Sequence, residues 1–80
     1  MKKTQYDCVI KIKFGKRLSS LRKAANLTQE ELAEKADYSV EFISFMERGQ
    51  HGPSLEGIER LAQALGLDES DLFNFEEGGV

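Results

Sequence analysis

Between Thr28 and Gly49 there is room for two helices of about eight to ten residues each, with only Asp37-Tyr38 to join them. So short a joint forces the two helices to cross steeply. The crossing must also be close, and Ala33 and Ala36 suit it because small side chains let the following helix approach. Residue chemistry marks the boundaries. Thr28-Gln29-Glu30-Glu31 is a capping box, in which the Thr28 hydroxyl accepts from the amide three residues on and Glu31 reaches back. The acids of that first turn suit the positive end of the helix dipole. Ser39 caps the next start. Ile43 and Met46 share one side of the helix that follows, which ends at Arg48-Gly49 before the polar loop Gln50-His51-Gly52-Pro53.

Helical periodicity also governs the flanks. Ile10, Phe14, Leu18, Leu21 and Ala25 recur at steps of four or three and predict an apolar stripe on a first helix, with Lys16, Arg17, Arg22 and Lys23 on its polar faces. Its start is open, because Cys8, Ile10, Ile12 and Phe14 also alternate with Val9, Lys11 and Lys13 as a strand would. The longer stripe favours a helix from about Ile10. Asn26 sits where the chain must turn and tolerates left-handed backbone geometry. Downstream, Ser54 caps a helix whose stripe is Leu55, Ile58, Leu61, Ala62 and Leu65, stopped by Gly66. Asp68 then caps a last short helix ending at Leu72-Phe73. The expectation is an all-α, compact five-helix domain over residues 10–75, with a basic arm at 1–9 and an acidic, glycine-containing tail at 76–80.

Eighty residues make one domain near the lower limit for folding on a single core. No apolar run approaches the roughly 20 residues of a membrane span, and Thr4-Gln5-Tyr6-Asp7 stands where a signal peptide would be apolar. One cysteine, Cys8, forms no internal disulfide, which points to a reducing, cytoplasmic setting. Cys8 and the single histidine, His51, are not at ligand spacing, so no metal is expected. No nucleophile–base pair and no phosphate-cradling glycine loop is visible, so neither an enzyme nor a cofactor is expected. Ser19, Ser20 and Ser54 are explained by polar faces and a cap.

Three stretches, "FGKRLSSLRKAANLTQEELAEKA", "S..FIS.MERG" and "PSLEGIERLAQALGLDESDLF", occur in an order and spacing that resemble the phage-repressor/Cro-like helix-turn-helix family, the lambda-repressor-like DNA-binding domains. The resemblance spans Phe14 to Phe73. It implies a domain that dimerises and regulates transcription by binding operator DNA. Residue by residue, it places Gln29 where members bond a phosphate while packing against the reading helix. It puts Ser39, Val40, Glu41 and Ser44 toward the major groove, with Phe45 beside them. Arg48, Gln50 and His51 fall where the end of that helix and its loop approach the DNA backbone. Arg22 and Glu47 match a structural ion pair of some members. Asp37 departs from the pattern, since many members have glycine there.

One feature runs against such a role. The reading stretch from Asp37 to Gly49 carries Arg48 as its sole cation against Asp37, Glu41 and Glu47, and the chain's net charge is −3. The average hides an asymmetry. Residues 1–26 hold eight cations and one acid, whereas residues 27–80 hold three cations and thirteen acids. A polyanion would therefore be held mainly from the N-terminal side. The ion pair would assign Glu47 to the fold, and Asp37 would lie near the positive end of the third helix. Only Glu41 is left aimed at a duplex, where a carboxylate accepts from the exocyclic amine of cytosine. Val40 and Phe45 suit thymine methyl groups. A solvated Glu41, a Phe42 that buttresses the turn, and a Phe45 that merely packs are the plainer readings beside these. Lys2, Lys3, Lys11 and Lys13 fit an arm following the DNA or, equally, a solvated tail.

Leu65, Leu67, Leu72, Phe73 and Phe75 form a C-terminal apolar cluster larger than one short helix needs. Part of it is expected to face a second copy in a two-fold dimer, the alternative being that all five close the monomer core. The sequence thus favours a cytoplasmic homodimer acting on a palindromic operator in double-stranded DNA, of the phage-repressor or restriction–modification controller kind. The rival is a protein-interaction module or antitoxin that kept the fold without strong DNA binding, favoured by the acidic, aromatic third helix.

Overall fold

The computed structural model describes residues 9–75, so that Cys8, Lys2, Lys3 and the acidic tail lie outside the described residues. Four α-helices run α1 (Val9–Ala24), α2 (Gln29–Ala36), α3 (Val40–Glu47) and α4 (Leu55–Leu65), followed by a 3-10 turn, Glu69–Phe73. The domain is all-α, and the expected fifth α-helix is this tighter turn. Asp68 caps it as expected: its carboxylate accepts from the Ser70 amide and hydroxyl at 3.0 and 2.6 Å. Those bonds, the hydroxyl's above all, hold the Asp68 carboxyl below its usual pKa.

The strand alternative at the start gives way to helix from Val9, the last residue assigned to the arm. Lys11 and Lys13 are accordingly helical. The capping box at Thr28 is complete, with Thr28 Oγ1 accepting from the Glu31 amide and Glu31 Oε1 from the Thr28 amide. Ser39 and Ser54 cap α3 and α4 with one bond each, the hydroxyl accepting from the amide three residues on.

All four α-helices end alike. At each end one residue turns into the left-handed region, Asn26, Asp37, Gly49 and Gly66 in order. The amide after it bonds back five residues: Leu27 to Arg22 O, Tyr38 to Ala33 O, Gln50 to Phe45 O and Leu67 to Ala62 O. This is the Schellman arrangement, which satisfies carbonyls the helix leaves unpaired. Glycine takes the position without steric cost. Asp37, at φ 62° and ψ 49°, holds the geometry that glycine would.

The core is Phe14 and Leu18 from α1, Leu32, Ala33 and Ala36 from α2, Ile43 and Met46 from α3, Leu61 and Ala62 from α4, and Leu72. Burying each of its larger side chains contributes about 1.5–3 kcal/mol. Helix α3 lies against α1 and α2, α4 packs on α2, and the 3-10 turn closes against α1 and α4. Two expected stripes are narrower than read. Ile10 is 49% and Leu55 83% exposed, and Ala25 lies exposed beyond the end of α1. Each stands at an outer end of its stripe, where the neighbouring helix no longer covers it.

Gly15 fixes the α1–α3 crossing. A Cβ there would stand 2.3 Å from the Met46 carbonyl oxygen and 2.8 Å from that of Glu47. Glycine in mid-helix costs about 1 kcal/mol relative to alanine, and here it admits the end of α3 against the α1 backbone.

Candidate nucleic-acid interface

Helix α3 presents two faces. Ile43 and Met46 are fully buried beneath it. On the other side Ser39 and Glu41 are exposed, while Val40, Ser44 and Phe45 are half-buried. Val40 and Phe42 pack at the rim of the core, so Val40 offers only part of its surface outward.

The charge of this face is settled by one cluster. Arg22 donates from Nε to Glu47 Oε2 at 2.6 Å and from Nη2 to Glu47 Oε1 at 3.1 Å. Its third nitrogen group, Nη1, donates to the Leu27 carbonyl at 2.8 Å. Gln29 Nε2 donates to Glu47 Oε1 at 3.0 Å. The Glu47 carboxylate is thus shared by α1 and the first residue of α2, and its side chain is 6% exposed. The hydrogen bond to Glu47 raises the Arg22 pKa above its usual value, with burial opposing and charge attraction adding to the rise. Gln29 Nε2 keeps a second proton, which leaves it able to donate to a further acceptor beside α3.

The other acids have places too. Glu31 is consumed by its cap. Asp37 holds the left-handed turn. Glu41 remains the exposed carboxylate on α3.

From the turn before α3, along the helix and into the loop after it, runs a row of rings. Tyr38 stacks on Phe42 at 5.2 Å between centroids, as the buttress reading of Phe42 requires. His51 lies 5.6 Å from both Phe42 and Phe45. A cation sits at each end: Arg60 is 4.5 Å from the Tyr38 ring centre and Arg48 is 5.3 Å from that of Phe45. These contacts hold Arg48 and His51 beside α3, and the Gln50 amide, which donates to the Phe45 carbonyl at 2.9 Å, holds the third residue expected at the DNA backbone. All three are exposed.

Several contributors gave no sequence signal as such. Arg60 Nε donates to the Ala36 carbonyl at 2.9 Å and covers Tyr38, tying α4 to the turn. Gly57 makes room for Tyr38, whose Oη would stand 1.8 Å from a Cβ there. Arg17 Nε donates to the Asp71 carbonyl at 2.8 Å, fastening the 3-10 turn to α1. A glycine inside a helix, as at Gly15 and Gly57, is compatible with a tight crossing but does not say which neighbour approaches.

Of the expected dimer surface, Leu72 is fully buried within the monomer and cannot face a partner. Phe73 is 39% exposed, and Leu65, Leu67 and Phe75 are half-buried. Phe73 bridges Phe14 and Phe75 at 5.4 and 6.0 Å.

Among the described residues, no helix is long and apolar enough to cross a membrane. A family model described as a helix-turn-helix domain matches residues 13–73. The chain is 37% identical over 67 residues to Control protein C.BamHI of Bacillus amyloliquefaciens, covering 82% of this chain and 83% of that protein. It is 43% identical over 56 residues to the immunity repressor protein of Bacillus phage phi105, spanning 70% of this chain and 39% of that repressor. Among solved structures, the restriction-modification controller protein C.AhdI from Aeromonas hydrophila aligns with a TM-score of 0.80 at 39% identity, covering 82% of this chain and 100% of that one.

Proposed function

The chain belongs to the helix-turn-helix family of DNA-binding regulators, and we propose from that premise that it acts as a cytoplasmic homodimer on a palindromic operator. The observation that carries this reading is the outward face of α3. Its acidic end is neutralised by Arg22, its inner face is buried, and Ser39, Glu41, Ser44 and Phe45 are left for base edges. Ser39 and Ser44 supply hydroxyls, Glu41 an acceptor for a cytosine amine, and Phe45 an apolar edge for a thymine methyl. Gln29, Arg48, Gln50 and His51 position the helix on phosphates.

Likeness to proteins named as restriction–modification controllers and to a phage immunity repressor supports regulation through the protein's own concentration. Dimerisation then supplies the threshold. The exposed edge of Phe73, with Leu65, Leu67 and Phe75, is the surface for the second copy. Two reading helices would lie about 34 Å apart, one turn of duplex.

Selecting bound fragments from random duplex DNA tests the proposal. The expected product is a motif with two-fold symmetry whose half-sites repeat at about 10 base pairs. Failure to retain any duplex at low salt would reject it. The protein-interaction or antitoxin reading would then stand, with the aromatic row of Phe42, His51 and Phe45 as its docking surface.

A further inference from the structure

The first turn of α1 lies outside the family match, which begins at residue 13, yet it is helical from Val9. It is laid against the loop that leaves the reading helix. Ile12 Cα and Cγ1 lie 3.1 Å from where a Cβ of Gly49 would stand, and Gly49 is itself left-handed at φ +79°. Lys11 Cγ lies 3.8 Å from the corresponding point on Gly52. Glycine at position 49 therefore lets this turn rest on the loop, with the Lys11 stem in ordinary contact distance of Gly52 and the residue itself exposed.

Lys11 thereby lies against the loop in which Gln50 and His51 stand. No acid occurs between Val9 and Lys13, or between Arg48 and Leu55. Lys13, on the same helix, is instead directed to the other side, 6.0 Å from the Phe75 ring centre.

We infer that Lys11 is a phosphate-binding residue, gripping the DNA backbone beyond the bases that α3 reads. The inference rests on the DNA-binding reading above. It explains how a reading helix poor in cations stays on a polyanion: one of the missing charges comes from α1, through a contact that carries no base information.

The test compares Lys11→Gln with Lys13→Gln on the duplex selected by the wild type, measuring affinity from 50 to 200 mM salt. Each phosphate contact contributes about 0.9 to the slope of log affinity against log salt. Lys11→Gln should flatten the slope by about that amount, so that affinity falls roughly three- to four-fold less over this range than for the wild type. It should weaken binding to every sequence alike and return the same selected motif. Lys13→Gln should leave the slope near the wild-type value. An unchanged slope for Lys11→Gln, or an equal change for both variants, would overturn the inference. If the wild type retains no duplex at all, the DNA-binding reading fails and this inference fails with it, whereas a wild type that binds with an unaltered Lys11→Gln slope sinks the inference alone. Matching thermal midpoints of the variants would confirm that folding is not the cause.

Discussion

Arg22 and Glu47, twenty-five residues apart, meet in a two-point contact of 2.6 and 3.1 Å that Gln29 joins from the start of α2. The pair is mostly withdrawn from water, at 12% and 6% side-chain exposure. Removing one partner strands the other. Glu47→Gln should therefore cost about 3 kcal/mol, in line with the breaking of buried pairs. For a domain of this size that is a fall in thermal midpoint of roughly 12–24 °C. Replacing both, as Arg22→Met with Glu47→Leu, should recover much of the loss because no charge is left stranded. DNA affinity should not recover with it, since Gln29 loses its acceptor. Thermal unfolding and duplex binding on the same variants separate the two effects.

Gly15 makes a second claim about the same crossing. Gly15→Ala should gain helix propensity but place a Cβ against the carbonyl oxygens of Met46 and Glu47. Overpacking of this kind costs about 1–3 kcal/mol, and main-chain oxygens cannot swing aside as a side chain does. A net loss of stability in urea, with an unchanged m-value, is the expected result. A net gain would mean that α1 and α3 lie farther apart.

Much of this is legible in the sequence. Caps at Thr28, Ser39, Ser54 and Asp68 are local chemistry, because a side chain and an amide two or three residues away need nothing else to meet. Core positions in the middle of each stripe, such as Phe14, Ile43, Met46 and Leu61, follow from period alone. What escaped depends on where a neighbouring element stops. Ile10 and Leu55 continue a stripe past the helix that would cover them. Leu72 looked spare for a dimer until the 3-10 turn folded it under α1 and α4. The site divides the same way. The resemblance supplied Arg22 with Glu47, whereas the placing of His51 between two rings and of Lys11 on Gly52 is tertiary and left no periodic trace.

Asp37 occupies the left-handed position at the end of α2. For a residue other than glycine that conformation costs on the order of 1–2 kcal/mol, less for aspartate, whose side chain bonds locally. Asp37→Gly should thus raise stability by at most about 1 kcal/mol, because the entropy of glycine and the loss of a carboxylate near the positive end of α3 both oppose the gain. It also removes an acid next to α3, so affinity for DNA should rise most at low salt. Equilibrium denaturation and a salt series of binding measurements check the two parts.

Tyr38 and Gly57 should behave as a coupled pair. Gly57→Ala would set a Cβ on the Tyr38 hydroxyl, forcing the ring off Phe42 or off Arg60. Tyr38→Phe removes the obstructing atom and keeps the stack. The double variant should accordingly be more stable than the sum of the two single effects, with a coupling of about 0.5–3 kcal/mol. Simple additivity in a double-mutant cycle would contradict the contact.

Glu41 is the residue on which base specificity is staked. It is exposed, in the first turn of α3, and, unlike Glu31 and Glu47, no cap or ion pair accounts for it. A carboxylate only accepts, so it favours the cytosine amine and is repelled by the acceptors that guanine and thymine display in the major groove. Glutamine both donates and accepts, and its preferred partner is adenine. Glu41→Gln should consequently change the selected motif at one position in each half-site, from cytosine toward adenine, with a discrimination of about 1–3 kcal/mol. Every other position should stay as it was, because α3 is held by its buried face and by the Arg22 cluster, neither of which the substitution touches. Selection of bound DNA with both proteins in parallel reads this directly. A motif identical in the two selections would make Glu41 a solvated side chain and pass the burden of readout to Ser39, Ser44 and Phe45.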